Sequence, residues 1–140
     1  MGLIFRLLVV AGLAVDSYVH FHLAGDVGSD GTVSEATLFQ LQAVAAAVVA
    51  VLVLVRARPL SYAVAFLVAA SALGAVLLYR YVDIGAIGPL PGMYEPVWYM
   101  EKVVTTVAEA VAAVAAALGC RHALARSRVR TVETGPQPST

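Results

Sequence analysis

Long blocks of apolar residues, separated by short polar segments, run along almost the whole chain. Each block is close to the roughly 20 residues that an α-helix needs to cross the hydrocarbon core of a bilayer. A glycine-rich polar segment follows the first block, and the second ends at a turn in which Pro59 suits the first turn of a new helix. The pattern predicts an all-α, four-helix transmembrane bundle. Its spans are expected at about 3–24, 36–55, 60–81 and 99–120.

The segment between the third and fourth blocks has a different pattern. Pro89, Pro91 and Pro96 break it too often for a regular span. It is nevertheless apolar and aromatic, so it should not extend into water. We expect this loop to fold back as a lid over the mouth of the bundle, the alternative being that it lies flat among the lipid headgroups. The predicted lid residues are Tyr94, Glu95, Trp98 and Tyr99.

The end of the chain is first basic and then rich in Pro, Ser and Thr. We therefore expect a transmembrane domain at 1–122 and a basic, then disordered, cytoplasmic tail at 123–140. The first block resembles a signal peptide in its apolar character. No small-residue cleavage site follows it cleanly, so it is interpreted as a retained anchor helix.

Composition narrows the class of protein. The chain is 61% hydrophobic and 13% charged, and a typical soluble domain has about twice that charged fraction. Four spans nearly exhaust the 140 residues, which leaves no room for a soluble catalytic domain. The net charge of zero gives no global attraction for nucleic acid. The single cysteine, Cys120, excludes an intrachain disulfide or a Cys-x-x-Cys redox pair.

The basic residues predict an orientation. Seven of the nine fall on one side of a four-span topology: Arg6, Arg56, Arg58, Arg121, Arg126, Arg128 and Arg130. Basic residues concentrate on the cytoplasmic side of membrane proteins, so both termini are predicted to be cytoplasmic. The expected location is the plasma membrane, with multiple passes through it.

Several ionisable residues lie inside the predicted spans. Asp16 and His20 share one face of the first helix, and Glu101, Thr105 and Glu109 share one face of the fourth. A charge at such depth is costly unless it finds a partner or water. Gln40 and Arg80 lie near the outer ends of the second and third helices. Together, all these residues form the predicted buried polar network or ligand-binding site: Asp16, His20, Gln40, Arg80, Glu101, Thr105 and Glu109.

Simpler interpretations exist for the same residues. Asp16 and Arg80 are predicted to form a buried ion pair between the first and third helices, with Glu101 as the rival partner of Arg80. Gln40 and Gln42 are expected to form hydrogen bonds between helices. The aromatic residues around the lid match an ordinary interfacial belt.

Metal binding is considered at His20 alone. A histidine beside a carboxylate is similar to the arrangement found around metal ligands, but a histidine near a helix end more often makes an interfacial hydrogen bond. His22 points in a different direction, which argues against a two-histidine clamp, and His122 at the opposite face fits haem poorly. No catalytic residue, metal ligand or cofactor is assigned.

Five short runs carry a resemblance to a known group. They are Asp16-Ser-Tyr-Val-His20, Leu38-Phe39-Gln40, 77–83, 88–91 and Met93-Tyr94-Glu95-Pro96. Together they resemble small four-span integral membrane proteins of high-GC Gram-positive bacteria, which are broadly similar in size to DoxX-like proteins. The resemblance covers residues 3 to about 120. It implies the fold and the membrane location and carries no activity.

Three functions are compared. The first is a non-enzymatic membrane protein whose outward-facing polar pocket binds a small ligand or docks a membrane partner, either another subunit or a second copy of the chain. The second is a quinone- or redox-linked accessory subunit of a respiratory complex. The third, a lipid-modifying membrane enzyme, ranks last because the sequence has no nucleophile elbow or Asp-rich diphosphate motif.

Overall fold

The computed structural model describes residues 1–27 and 33–133, with side chains described as far as residue 128. It confirms the all-α prediction, and each of its four helices is long and apolar enough to cross a membrane. Large apolar side chains cover their outer faces, as expected for contact with lipid. The helices are α1 (Gly2–Leu23), α2 (Glu35–Val55), α3 (Pro59–Tyr81) and α4 (Met100–Glu133).

The helices form a bundle in which α1 packs against α2 and α4, while α3 packs against α4 and less extensively against α2. Helices α1 and α3 therefore occupy opposite corners. The connections that follow α1 and α3 lie at one end, here called the loop end. The first turn of α1, the turn at 56–58 and the later part of α4 lie at the other end, here called the terminal end.

Small residues bring the helices together. Gly12 of α1 is buried against α4, where an added Cβ would lie 2.7 Å from the backbone oxygen of Ala108. Gly119 of α4 faces the ring of Tyr62 in a similar way. Gly74 lies in a run of small residues at 69–75 of α3, but it is exposed and has nothing within 4 Å of an added Cβ.

Local chemistry explains where α2 and α3 begin. The hydroxyl of Ser34 accepts a hydrogen bond from the backbone N–H of Thr37 at 3.1 Å, which caps α2. Pro59 occupies the first turn of α3, as predicted.

The end of α4 differs from the expectation. The helix does not stop near Cys120 but continues to Glu133, so the first part of the expected tail is helical. Alanine, leucine and arginine after Gly119 are good helix formers, and no Gly or Pro interrupts the chain before Gly135. The rest of the predicted disordered tail, 134–140, lies outside the described residues.

The loop at 82–99 contains no helix, as its prolines predicted. Ile87 and Leu90 exchange two backbone hydrogen bonds across a tight turn, for which Gly88 supplies a φ of 57°. The N–H of Glu95 then donates to the backbone oxygen of Tyr79 at 3.1 Å. The loop is thereby returned to the end of α3.

Candidate functional site

A group of polar side chains is buried among α1, α2 and α4 towards the loop end of the bundle. Its centre is Asp16, whose side chain is fully buried. We refer to this group as the polar cluster: Asp16, His20, Gln42, Thr105 and Glu109.

Three side chains that can donate a proton contact the carboxyl group of Asp16. Gln42 Nε2 donates to Asp16 Oδ2 at 2.8 Å, and Thr105 Oγ1 lies 3.5 Å from Asp16 Oδ1. His20 Nδ1 lies 2.7 Å from the same Oδ1 and 3.1 Å from the backbone oxygen of Asp16. The i, i+4 spacing on α1 brings the imidazole over the carboxylate. Three helices therefore meet at this one carboxyl group.

Glu109 is the second buried carboxyl group of the cluster. Thr105 Oγ1 lies 3.3 Å from its Oε1, and its Oε2 has no hydrogen-bond partner among the described residues. Thr105 has a single hydroxyl proton, so it cannot donate to Asp16 and Glu109 at the same time. The cluster is consequently short of donors.

The cluster is also short of positive charge. Among the described residues, the carboxyl groups of Asp16 and Glu109 form no ion pair with a Lys or an Arg, and His20 is the sole basic neighbour in contact with Asp16. Two carboxylates side by side in a membrane interior would repel each other and lack solvation. The arrangement therefore requires a proton or a cation.

A cavity of about 560 Å³ opens beside the cluster and is here called the loop-end cavity. All four helices and the loop contribute to its wall. His20, Gln42 and Thr105 belong both to this wall and to the cluster, so the two carboxyl groups lie directly behind it. Apolar and aromatic side chains form much of the remaining wall: Leu23, Leu38, Phe39, Val76, Tyr79, Leu90, Met93, Tyr94 and Tyr99.

Lys102 fastens the loop to the bundle at this cavity. It is 7% exposed, its Nζ donates to the backbone oxygen of Glu95 at 2.6 Å, and it lies 5.2 Å from the ring centre of Tyr99. Burial, followed by the nearby Glu95 charge, raises the pKa of the Tyr99 phenol above its usual value. The cavity therefore contains a buried ammonium group that the sequence analysis had not selected.

The proposed lid residues have different positions. Tyr94, Glu95 and Tyr99 line the cavity, while Trp98 lies outside that wall beside Arg80. The carboxylate of Glu95 accepts a hydrogen bond from the backbone of Val97 at 3.0 Å. The loop thus covers part of the cavity mainly through its backbone and its aromatic rings.

The predicted ion pair between Asp16 and Arg80 is not formed. The Arg80 guanidinium lies 5.0 Å from the ring centre of Tyr81 and 5.5 Å from that of Trp98. Arg80 belongs to α3, which occupies the corner opposite α1, so its side chain faces Tyr81 and Trp98 instead of Asp16. Glu101, the rival partner, is exposed and forms no ion pair with Arg80 either.

Besides Arg80, two residues of the predicted network lie outside the cluster. Gln40 is exposed, and Gln42 takes its place, because two residues rotate a helix by about 200°. Glu101 lies on the surface beside Tyr18. The buried stripe of α4 runs instead through Lys102, Thr105, Glu109, Ala112 and Ala116, and Glu101 lies to one side of it.

One further polar contact had no signal in the sequence. Ser17 Oγ donates to the backbone oxygen of Ala43 at 2.7 Å and joins α1 to α2. His22, by contrast, stacks on Tyr18 on the exposed side of α1, in a different direction from His20 as expected.

Comparison of the chain with protein-family models, with curated proteins and with solved structures finds no match in any of the three. The functional argument therefore depends on the polar cluster and on the cavity beside it.

Proposed function

We propose that the protein is a multi-pass plasma-membrane protein whose loop-end cavity binds a small molecule with an apolar body and a polar head group. The observation that carries this proposal is the mixed wall of the cavity, where aromatic rings face a group of polar side chains. Its volume of about 560 Å³ lies within the range of typical small-molecule sites, roughly 300–1,000 Å³. The resemblance to four-span proteins of high-GC Gram-positive bacteria is part of the same proposal.

The residues of the cavity wall indicate how the ligand would be oriented in the loop-end cavity. His20, Gln42 and Thr105 lie on the side of the polar cluster, and Lys102 lies beside the loop. A polar head group would bind among these side chains, which include both donors and acceptors of hydrogen bonds. The apolar body would then pack against rings such as Phe39 and Tyr94.

Native mass spectrometry of the detergent-purified protein tests this proposal. We expect a bound small molecule of one defined mass on the wild-type chain. Ala75→Phe would fill the cavity, which Ala75 lines, and should remove the bound mass. Ala47→Phe is the control, because Ala47 is exposed on α2 and does not line the cavity. Absence of any bound mass, or its equal loss in both variants, would contradict the proposal.

A quinone-linked role is the second candidate, and the contact between His20 and Asp16 favours it. An imidazole oriented by a carboxylate can donate a hydrogen bond to a quinone carbonyl and exchange a proton with it. Decylubiquinone should then quench the fluorescence of Trp98, the only tryptophan, in a saturable manner. Quenching should weaken in His20→Ala and persist in His22→Ala. Equal quenching in both variants would reject this role.

Docking of a membrane partner at the loop end is the other form of the main proposal. In this form, an apolar side chain of the partner would occupy the cavity in place of a free small molecule. Cross-linking from position 94, followed by native gel electrophoresis, distinguishes the two forms. A defined heteromeric or dimeric band supports docking, and a monomeric band supports the small ligand.

The proposal includes an orientation in which the loop end faces outward. In a Cys120→Ser background, we expect Asp26→Cys to react with a membrane-impermeant maleimide in intact cells. Ser127→Cys should be protected until the cells are lysed. The reverse pattern would place the cavity on the cytoplasmic side.

A further inference from the structure

We propose that Asp16, His20 and Glu109 form a binding site for a divalent transition-metal ion. Each of these residues offers one ligand atom, and the three atoms lie within 4.8 Å of one another. Asp16 and Glu109 are fully buried, and His20 is mostly so. His20 also lines the loop-end cavity, so the site adjoins that cavity, and Asp16 and Glu109 lie outside its wall.

The type of donor indicates the class of metal. One imidazole nitrogen and two carboxylate oxygens are a mixed set that suits first-row divalent ions such as Mn²⁺, Fe²⁺, Co²⁺ and Zn²⁺. Such ions bind their ligands at about 2.0–2.2 Å. Small movements of the three side chains towards a common centre would complete this geometry.

The unpartnered oxygen of Glu109 is the independent observation that points to a ligand. A fully buried carboxyl oxygen without a donor is costly in any protein interior, and more so within a membrane. A divalent ion would bind this oxygen and balance the charges of Asp16 and Glu109 together. A hydrogen bond from Thr105 cannot both bind this oxygen and balance the two charges, because the hydroxyl supplies one proton and carries no charge.

Two neighbours have the positions of supporting residues around such an ion. Gln42 Nε2 donates to Asp16 Oδ2, which leaves Oδ1 directed towards His20. Thr105 Oγ1 lies within reach of both carboxyl groups. Hydrogen bonds of this kind orient metal ligands, and their loss typically weakens metal binding by about 10–100-fold.

Cobalt(II) is the probe for the test, because it binds mixed nitrogen and oxygen ligands and gives visible absorption bands. The full chain, purified without a polyhistidine tag and stripped with chelator, is titrated with Co²⁺. We expect one tightly bound ion per chain and a rise in the melting temperature. Glu109→Gln, which conserves shape, should lower the affinity at least 10-fold and abolish the thermal shift, as should Asp16→Asn and His20→Gln.

Matched controls are available on the same helices. His22→Gln and Glu101→Gln alter an exposed histidine and an exposed glutamate, and both should bind Co²⁺ as the wild type does. If the wild type shows no saturable binding, or if Glu109→Gln binds as well as Glu101→Gln, the carboxyl groups are balanced by protons and the metal site is refuted. Loss of the cavity-bound molecule in Ala75→Phe with intact Co²⁺ binding would separate this inference from the proposed function.

A second inference concerns a cavity at the terminal end of the bundle and depends on different observations. A cavity of about 940 Å³, here called the terminal-end cavity, lies between the first turns of α1 and α3 and the later part of α4. Three arginines and a histidine line it, and no acidic residue does so among the described residues: Arg6, Arg58, His122 and Arg126. We infer that it binds a phosphate group.

Unused donors support this assignment. Arg6 Nε and His122 Nε2 are buried and have no hydrogen-bond partner among the described residues. Helices α1 and α3 both begin at the cavity and have no acidic residue in their first turns. Helix N-termini carry unpaired N–H groups and partial positive charge, which favour anions.

The phosphate could belong to an anionic lipid or be free in solution, and two arms of one experiment distinguish these sources. Native mass spectrometry counts phosphatidylglycerol retained from mixed micelles, with and without inorganic phosphate as competitor. We expect the variant Arg6→Gln/Arg58→Gln to retain at least 5-fold less lipid than Arg56→Gln/Arg121→Gln, whose arginines are exposed and do not line the cavity.

Displacement of the lipid by millimolar phosphate would assign the site to free phosphate, and retention of the lipid would assign it to a headgroup. If both double variants lost the same amount of bound lipid, general surface charge would explain the binding and a specific site would be refuted. Melting temperatures of both variants confirm that they remain folded.

Discussion

Gly12 offers a sharp test of how α1 and α4 pack. A Cβ added there would lie 2.7 Å from the backbone oxygen of Ala108 and 2.9 Å from the Cβ of Ala112. The first distance is about 0.7 Å short of the 3.4 Å at which ordinary van der Waals contact begins. Because the nearest atom is backbone, α1 itself must move away from α4. We therefore expect Gly12→Ala to destabilise the bundle.

The magnitude follows from two opposing effects. Alanine is favoured over glycine within a helix by about 1 kcal/mol. Overpacking a well-packed interior typically costs about 1–3 kcal/mol. Gly74→Ala isolates the first effect, because nothing lies within 4 Å of the added Cβ at that exposed position. The free energy of unfolding of Gly12→Ala should therefore be about 1–3 kcal/mol lower than that of Gly74→Ala.

Equilibrium unfolding in mixed micelles with increasing dodecyl sulfate, followed by circular dichroism, provides the measurement. Gly119→Ala is an intermediate case, since its added Cβ would meet the ring of Tyr62, which can rotate more readily than a backbone can move. If Gly12→Ala proved as stable as Gly74→Ala, the close approach of α1 to α4 would be refuted.

Three further predictions concern the cluster and the loop. Gln42→Ala should lower the free energy of unfolding by about 1–3 kcal/mol, because it removes a donor from a buried carboxyl group. Gln40→Ala, at an exposed position, should stay within about 0.5 kcal/mol of the wild type, and equal effects would contradict the assignment of Gln42 as the partner of Asp16. Lys102→Gln should release the loop and increase acrylamide quenching of Trp98, while Lys102→Arg should not, and unchanged quenching in both would show that this contact does not hold the loop. Because the pKa of Tyr99 is raised, its phenol should ionise only above the usual range near pH 10. The difference in absorbance between the wild type and Tyr99→Phe measures this ionisation, and ionisation at a lower pH would contradict the burial of Tyr99.

The fold was predictable because span length is a strong constraint. A bilayer interior admits few structures besides helices of about 20 apolar residues, so the four blocks could be identified individually. The end of α4 was not predictable from the same constraint. Helix propensity, not membrane thickness, decides where a helix stops once it has left the bilayer, and the chain beyond Cys120 favours helix.

The site was only partly predictable, because periodicity orders residues around one helix and does not say which helices are neighbours. Asp16 and His20 were correctly placed on a shared face, as were Thr105 and Glu109. The partner of Asp16 depended on the arrangement of the bundle. With α3 at the opposite corner, Gln42 of α2 binds Asp16, and Arg80 does not.

The composition of the polar cluster has a consequence for the order in which the protein is made. Among the four described helices, Asp16 belongs to the first to emerge, Gln42 to the second, and Thr105 and Glu109 to the fourth. Helices that insert separately associate afterwards in the bilayer, so the carboxyl group of Asp16 enters before most of its partners exist. In a nascent chain that ends after α2, we expect Gln42 to be the one donor from another helix that reaches the carboxyl group of Asp16, because Thr105 has not yet been made. Only the arrival of α4 would close the bundle around both carboxyl groups.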